Sequence, residues 1–232
     1  MKVGKPDLLL LLLIVGALSA HGVSSQEVLL QQVLAQDAAA EDRFACNALK
    51  AMDLSEATGV GVRLADVGLL PASADQPELC RVNGFVEPQV GFEVRMPVKG
   101  WNGKLLVTGC SNLCGSLEIQ GMEDALARGY ATATTDMGHR TADRSDATWA
   151  FNNPSLEVDF GHRATHVSTL AAKQLVGNYY GDTPEHSFFR GCSTGGRQAL
   201  VAAERYPEDF DGIIAGAPFS QDRKSTRLNS SH

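Results

Sequence analysis

Short apolar runs bounded by glycine, proline or asparagine alternate with longer runs in which apolar residues recur every three or four positions. The short runs predict strands and the longer runs predict helices. The predicted strands cover residues 84–86, 92–97, 104–108, 130–135, 186–190 and 212–215. The predicted helices cover residues 27–40, 46–52, 121–129, 162–180 and 197–203. From residue 104 onward the two types alternate, which predicts an α/β domain with a mostly parallel, doubly wound sheet.

The segment Gly191-Cys192-Ser193-Thr194-Gly195-Gly196 separates a predicted strand from a predicted helix. In that setting a G-x-S-x-G sequence is typical of a nucleophile elbow, a tight turn that exposes a serine at the end of a strand. Gly191 and Gly195 allow the backbone to reverse without a Cβ clash. The alternative is a glycine-rich turn with an incidental serine. The flanking strand and helix favour Ser193 as the nucleophile of an acyl transfer.

Two backbone segments are candidates for stabilising the oxyanion that forms in such a reaction. Thr194 lies at the predicted start of a helix, where N–H groups have no helical partner. The loop after the strand at 104–108 contains Gly109 and Cys110, where folds with a nucleophile elbow place a second donor. The order of the elements is that of the α/β-hydrolase core. We therefore expect that fold, with oxyanion donors at Thr194 and at Gly109 or Cys110.

Residues 1–25 have the pattern of an export signal. Lys2 and Lys5 precede an apolar run from Leu8 to Leu18, and small residues follow it. The run is too short to span a bilayer, so we expect cleavage rather than a stable membrane anchor, and a secreted or periplasmic protein. Export permits disulfides, and the chain has 5 cysteines. This odd number leaves at least one thiol that is unpaired, pairs with another chain or is separated from its partner.

Composition narrows the choice of partners. The net charge is −7, and no basic patch indicates binding to nucleic acid or to a membrane surface. No C-x-x-C pair or Cys/His cluster predicts a zinc site, so we expect no bound metal. The sequence does not predict an oligomeric state.

Few residues follow the predicted nucleophile. Hydrolases of this fold carry an acid and then a histidine after the serine, whereas His232, the last residue, is the only histidine after Ser193. We therefore interpret the chain as the front part of an enzyme, truncated after the strand at 212–215. The basic, polar residues 222–232 are interpreted as a non-native tail. The expected organisation is a signal peptide at 1–25, an N-terminal lead-in at 26–83, a partial catalytic domain at 84–221 and that tail at 222–232.

Five motifs occur in the order in which one protein family carries them. They are W-N-G-K at 101–104, T-D-M-G-H at 135–139, D-F-G-H-R-A at 159–164, G-C-S-T-G-G-R at 191–197 and R-Y-P-E-D-F-D-G-I-I-A-G-A-P at 205–218. With them the chain resembles the tannase and feruloyl esterase family of secreted serine esterases, as an N-terminal fragment. The Cys-Ser pair at the elbow is unusually specific within this resemblance.

The resemblance implies an activity and a mechanism. It implies cleavage of aromatic-acid esters through an acyl-enzyme and a Ser-His-Asp triad, of which only Ser193 is present here. The partner of the protein would be a small aromatic ester, such as a ferulate or a gallate. Family members also carry a lid that shapes the pocket and often holds a structural calcium. The residues of that lid do not occur in this sequence, so we expect no cofactor within the chain.

The resemblance also bears on the cysteines. In such enzymes the cysteine before the nucleophile is bonded to a cysteine beside the catalytic histidine, so Cys192 would pair with a residue that this chain lacks. Cys46 and Cys80 resemble the N-terminal disulfide of the family, and Cys110 and Cys114 are close enough in sequence for a local alternative. For Cys192 the alternative is a buried, unpaired thiol.

Other candidate residues favour structural roles. Asp136 and His139 precede the serine, opposite to the hydrolase order, so we expect them to be structural or to line the cleft. The remaining candidates are interpreted as turn residues (Asp209, Asp211), as packing or capping residues (His162, His166) and as core or loop anchors (Trp101, Trp149).

Two alternatives to this function remain. A serine without a base is not activated, so the first alternative is an inactive hydrolase fragment or a binding module. The second is an esterase of the same family that acts on other aromatic monoesters.

Overall fold

The computed structural model describes residues 25–219. The predicted signal peptide, apart from Ser25, and the predicted tail at 222–232 lie outside the described residues. The chain divides into two compact units, of which the first ends at Ala40 and the second begins at Glu41. In its described part, the first unit is helical and its large apolar side chains are exposed.

The α-helices of the described residues are α1 Ser25–Ala48, α2 Ser55–Thr58, α3 Glu123–Leu126, α4 Pro154–Val158, α5 Ala164–Tyr180 and α6 Thr194–Arg205. Helix α4 has a proline in its first turn. The side chain of Asn153 caps the start of this helix, because it accepts a hydrogen bond from the N–H of Leu156. A π-helical turn, Asp159–Arg163, joins α4 to α5. Helix α5 ends at Tyr180 and is followed by Gly181, whose left-handed φ of 77° favours glycine. Between residues 25 and 219 no helix has both the length and the apolar composition needed to cross a membrane.

Seven strands form one mixed sheet in the described part of the chain. They are β1 Val62–Leu70, β2 Leu79–Val86, β3 Val90–Pro97, β4 Lys104–Thr108, β5 Ala131–Thr135, β6 His186–Cys192 and β7 Gly212–Gly216, in the spatial order β1-β2-β3-β5-β4-β6-β7. The pairs among β1, β2, β3 and β5 are antiparallel, and those among β5, β4, β6 and β7 are parallel. The carboxyl ends of β4, β5 and β6 therefore meet at one edge, where three loops begin.

The main core lies between the sheet and α5. Its buried side chains come from alternate positions of the central strands and from one face of the helix: Phe92, Val94, Leu105, Val107, Ala133, Phe189, Val167, Ala171 and Leu175. Burial of each large apolar side chain contributes about 1.5–3 kcal/mol. This packing fixes the central strands, and with them the loops at their carboxyl ends.

The structure confirms the α/β class and the alternation of strands and helices after residue 104. The sheet is mixed rather than mostly parallel, because two hairpins, β1–β2 and β2–β3, supply its antiparallel half. The predicted lead-in at 26–83 contains β1 and most of β2, which belong to the same sheet as the predicted catalytic domain. The helix predicted at 121–129 is shorter, a 3₁₀ turn at Gln120–Met122 followed by α3.

Candidate active site

Ser193 occupies the junction between β6 and α6. Its backbone has φ 58° and ψ −118°, a conformation that costs a non-glycine residue free energy. Its N–H donates to the carbonyl of Gly216 at 3.0 Å, and its own carbonyl accepts from the N–H groups of Arg197 and Phe219. Because these hydrogen bonds tie the turn to α6 and to the end of β7, the strained conformation is held from both sides.

The glycines of the elbow allow two backbone segments to come close. A Cβ on Gly191 would lie 2.2 Å from the carbonyl oxygen of Gly195, inside van der Waals contact. A Cβ on Gly195 would lie 3.0 Å from the carbonyl oxygen of Cys110, in the loop after β4. The elbow is therefore packed against both its own helix and the neighbouring loop, and only glycine fits at 191 without displacement.

Thr194 begins α6 directly after the serine. The first N–H groups of a helix have no intrahelical acceptor and lie at the positive end of the helix dipole. The N–H of Thr194 is therefore suited to donate to an anion on a group bound to Ser193. The hydroxyl of Thr194 donates to the carbonyl of Asn112, which connects the helix start to the loop after β4.

The loop after β4 contains the predicted second pair of oxyanion candidates. The N–H of Gly109 donates to the carbonyl of Arg190 at 2.9 Å. The N–H of Cys110 donates to Oε1 of Gln198, also at 2.9 Å. Both N–H groups thus already have acceptors within the protein. A disulfide between Cys110 and Cys114 closes the loop.

Asp136 follows β5 and is almost fully buried. Its Oδ1 accepts from the N–H groups of Gly91 and Gly138, each at 2.9 Å, so the carboxylate holds the loop after β5 against β3. Burial disfavours the charged form and raises the pKa of Asp136 to about 6, although both N–H donors oppose the rise. A cleft of about 570 Å³ opens beside it, lined also by Arg140 and Thr141.

His139 belongs to an aromatic cluster. Its ring stacks on Trp149 with centroids 4.1 Å apart, and Phe160 packs against both. Burial lowers the pKa of His139 and so favours the neutral ring, although the nearby backbone of Leu113 and Met137 opposes this shift. Among the described residues no hydrogen bond joins His139 to Asp136, and the two do not form a catalytic dyad.

His162, in the π-helical turn, and His166, in α5, both contact the segment that follows α6. Nδ1 of His166 lies 2.8 Å from Oδ2 of Asp209, and its ring stacks on Tyr206 with centroids 3.9 Å apart. Nδ1 of His162 lies 2.6 Å from the hydroxyl of Tyr206. Asp211 accepts from the N–H of Ser187 at 2.7 Å. These contacts are those of packing and turn residues, and within residues 25–219 no cluster of three His, Cys, Asp or Glu side chains is placed to hold a metal ion.

The cysteines fall into three groups. Cys46 and Cys80 form a disulfide, the pairing that the resemblance implies. Cys110 and Cys114 form the second, local one. Cys192 is the free cysteine of the described residues, and it is exposed rather than buried.

Gln198 contacts the elbow region in a way that the sequence analysis missed. Its side chain is buried and joins the loop after β4 to α5, because Oε1 accepts from the N–H of Cys110 while Nε2 donates to Oγ1 of Thr165 at 2.9 Å. The signal in the sequence is a polar residue one turn after Thr194, between alanine and glycine positions that pack inward. Its partners are 88 and 33 residues away in sequence, so pattern alone does not identify them.

The known proteins that this chain resembles are hydrolases of esters. A family model described as tannase and feruloyl esterase matches residues 76–226. An uncharacterized esterase of Xanthomonas campestris is 45% identical over 148 residues, covering 62% of this chain and 26% of its own length. A mono(2-hydroxyethyl) terephthalate hydrolase of Piscinibacter sakaiensis is 37% identical over 204 residues, covering 76% of this chain and 34% of its own length.

A solved structure matches over a similar range. The crystal structure of feruloyl esterase B from Aspergillus oryzae has a TM-score of 0.68 and 28% identity, covering 76% of this chain and 38% of that one. This chain therefore spans about a quarter to a third of the curated relatives described above. The matched part includes the elbow, the loop after β4 and the loop after β5.

Proposed function

Because this chain belongs to the tannase and feruloyl esterase family, we propose that the protein containing it hydrolyses carboxylic esters of aromatic acids, with Ser193 as nucleophile. The observation that carries the proposal is the backbone conformation of Ser193 between β6 and α6. A strained residue held by hydrogen bonds on both sides points to a function, because the strain has a cost that packing alone does not require.

The proposed reaction has two covalent steps. Oγ of Ser193 adds to the ester carbonyl carbon while a general base takes its proton, and the carbonyl π electrons move to oxygen. The tetrahedral intermediate collapses, the C–O bond to the alcohol breaks, and the alcohol leaves with a proton from the same base. Water then attacks the acyl-enzyme by the same route and releases the acid. We assign the base and its orienting carboxylate to the part of the relatives' length that this chain does not span.

The oxyanion of each intermediate needs hydrogen-bond donors. The N–H of Thr194, at the start of α6, is the first of them in this proposal. The reaction as written needs no cofactor. The two disulfides support a secreted or periplasmic location, since such bonds persist in oxidising compartments.

The substrate class rests on the relatives. Their names specify esters of two aromatic acyl groups, feruloyl and terephthalate. Both consist of a planar ring joined to the reacting carbonyl, directly or through a double bond. We therefore propose that the substrate at Ser193 is an ester with a small aromatic acyl group, and we do not specify its alcohol. The second candidate substrate is a monoester of an aromatic diacid.

The test compares Ser193→Ala with Ser145→Ala in the full-length protein that contains this chain. Ser145 is an exposed loop serine and serves as the matched control. Ser193→Ala is expected to lose at least about 10³-fold in kcat on methyl ferulate, methyl gallate and mono(2-hydroxyethyl) terephthalate. Ser145→Ala is expected to retain the kcat of the wild type on the same substrates. Turnover by Ser193→Ala within tenfold of the wild type refutes the proposal, and absence of turnover by the wild type favours the non-catalytic module.

A further inference from the structure

We infer that Arg197 is a positioning residue for Ser193, because its side chain fixes the first turn of α6 to the π-helical turn at Asp159–Arg163. The inference rests on the proposed function, since it concerns the geometry of the same nucleophile. The glycines of the elbow permit the conformation of the serine, but they do not determine where the start of α6 lies.

The backbone of Arg197 is bonded directly to the nucleophile. Its N–H donates to the carbonyl oxygen of Ser193 at 3.0 Å, within the first turn of α6. Together with the bonds to Gly216 and Phe219, this hydrogen bond holds Ser193 at its φ of 58°. A strained residue keeps its conformation only while its surroundings fix it. A shift of Arg197 is therefore passed on to the serine.

The side chain of Arg197 contacts the π-helical turn at three points. Its Nη1 donates to the carbonyl oxygen of Gly161 at 3.1 Å, and its Nη2 donates to that of Phe160 at 2.8 Å. The guanidinium also lies over the ring of Phe160, 4.5 Å from the ring centroid. A guanidinium carries its donors in a rigid planar fork, so these contacts fix both its position and its orientation. Single π-helical turns are rare and frequently occur at functional sites.

The charge of Arg197 has no carboxylate partner. Seven other arginines form ion pairs with Asp or Glu, whereas Arg197 forms none with any residue between 25 and 219. Burial lowers the pKa of its guanidinium, and no nearby carboxylate opposes the shift. A partly buried cation that is bonded only to carbonyl groups is costly, and an apolar side chain would fill the same space at a lower cost in free energy. This cost indicates that the position requires a rigid, forked donor rather than packing alone.

Phe160 connects Arg197 to the loop after β5. Its ring packs against Trp149 and His139, with centroids 5.0 and 6.2 Å away. The ring of His139 stacks on that of Trp149, and His139 is almost fully buried. The contact surface of Arg197 is therefore a packed aromatic cluster at the edge of the sheet that carries Ser193. Such a support keeps the nucleophile in place without moving during the reaction.

The experiment separates the forked donors from the charge, in the full-length protein. Arg197→Lys keeps the charge and loses the planar fork, whereas Arg197→Met keeps an unbranched stem and loses both. We expect kcat per folded molecule to fall about tenfold in Arg197→Lys and on the order of 10²-fold in Arg197→Met, with KM within about threefold. A fluorophosphonate, from which the serine displaces fluoride, should react more slowly by the same factors. The folded fraction is measured by circular dichroism at the assay temperature.

Arg81→Met is the matched control for Arg197→Met. Arg81 is also partly buried, but it ties β1 to β2 through Asp66 and does not contact α6. Both kcat and the rate of phosphonylation should stay within about threefold of the wild type in this variant.

A second pair of variants keeps the inference testable if both substitutions of Arg197 prevent folding. Phe160→Leu keeps the backbone carbonyl that Arg197 binds and removes the ring beneath the guanidinium. Phe85→Leu is its control, because Phe85 is also partly buried and the guanidinium of Arg140 lies over its ring at 4.9 Å. We expect kcat and the phosphonylation rate of Phe160→Leu to be about fivefold below those of Phe85→Leu, with similar KM values.

Four results overturn the inference. The first is a folded Arg197→Met with the kcat and phosphonylation rate of the wild type. The second is a loss in Arg197→Met that is absent from Arg197→Lys, which assigns the effect to the charge alone. The third is a raised KM with unchanged phosphonylation, which assigns a contact with the substrate. The fourth, where neither Arg197 variant folds, is equality of Phe160→Leu and Phe85→Leu.

These results are distinguishable from a failure of the proposed function. Each of them leaves that function intact if turnover still depends on Ser193. Turnover that persists in Ser193→Ala refutes the proposed function itself, whatever the variants of Arg197 show.

Discussion

At the scale of single residues, the elbow depends on the absence of a side chain at Gly191. A Cβ there would lie 2.2 Å from the carbonyl oxygen of Gly195, so Gly191→Ala must displace either Ser193 or the start of α6. We expect kcat to fall on the order of 10²-fold, as a nucleophile misplaced by about 1 Å does. Gly68→Ala is the matched control, because a Cβ at that position in β1 meets nothing within 4 Å. Equal kcat values for the two variants, measured on methyl ferulate, contradict this description of the elbow.

Asp136 gives a second prediction at this scale. Its pKa is raised to about 6 by burial, above the ordinary value of 3.8. The folded state therefore binds the proton more tightly than the unfolded state, and stability falls as pH rises from about 4 to about 6. Asp136→Asn removes the titrating group while its amide oxygen can still accept from Gly91 and Gly138. We expect the wild-type melting temperature, relative to that of Asp136→Asn, to decrease over this range and then level off; a constant difference contradicts the prediction.

At the scale of elements, the end of α5 is tied to the start of β4 by two aromatic side chains. The rings of Trp101 and Tyr180 stack with centroids 4.0 Å apart. The hydroxyl of Tyr180 donates to the carbonyl of Pro97 at 2.8 Å, and Nε1 of Trp101 donates to the carbonyl of Lys104 at 3.0 Å. These contacts lie at the amino end of β4, opposite the edge that carries Ser193.

Substitutions of Tyr180 separate the two interactions. Tyr180→Phe keeps the stacking and loses the hydrogen bond, so the free energy of unfolding should fall by about 1 kcal/mol. Tyr180→Ala loses both and should cost roughly 3 kcal/mol. Denaturant unfolding measures these changes, and kcat should be the same in both variants. A fall in kcat at unaltered stability shows that Tyr180 acts on the site and contradicts the structural role.

The elements nearest the elbow were the ones the sequence predicted best. Strand β6, the turn and α6 are specified locally, by an apolar run, glycines and a helix-forming segment. Strand β1 was missed because eight of its nine positions are exposed or partly exposed, which leaves no strict alternation of buried and exposed residues. The helix predicted at 162–180 includes only the last two residues of the π-helical turn Asp159–Arg163, whose irregular geometry the apolar pattern does not indicate. The contact between Gln198 and Cys110 could not be predicted from the sequence, because only tertiary packing brings the two residues together.

At the scale of the whole molecule, two disulfides are expected to have different consequences. The Cys46–Cys80 bond joins α1 to β2 across a sequence separation of 34, whereas the Cys110–Cys114 bond spans 4. On the chain-entropy account the first disulfide stabilises the fold by roughly 3–4 kcal/mol and the second by about 2 kcal/mol. The second closes the loop after β4, which packs against the elbow, so we expect it to affect the reaction more than the stability.

The paired variants Cys46→Ala/Cys80→Ala and Cys110→Ala/Cys114→Ala test this division. The first pair should lower the melting temperature by more than the second and leave kcat within about threefold of the wild type. The second pair should lower kcat by at least about tenfold, because the loop after β4 that packs against the elbow is no longer held closed. Thermal unfolding and steady-state kinetics, measured on the same preparations, test both expectations. A larger loss of kcat in the first pair than in the second contradicts the assignment of the loop after β4 to the active site.

The mixed sheet shows what the sequence left undetermined at this scale. Alternating strands and helices after residue 104 predicted the parallel half, which carries the site. The antiparallel half is built by hairpins whose pairing depends on burial against α5 and the rest of the core. The candidate nucleophile could therefore be proposed from sequence, while the hydrogen bonds that hold the loop after β4 against the elbow appeared only in the structure.

The most direct test of the central claim is to trap the acyl-enzyme. The full-length protein is mixed with excess p-nitrophenyl ferulate, quenched in acid within milliseconds and digested for mass spectrometry. A serine esterase with this elbow should carry one feruloyl group on the peptide that contains Ser193, and Ser193→Ala should carry none. Turnover without an acyl adduct, or an adduct on a different residue, contradicts the claim that Ser193 is the nucleophile.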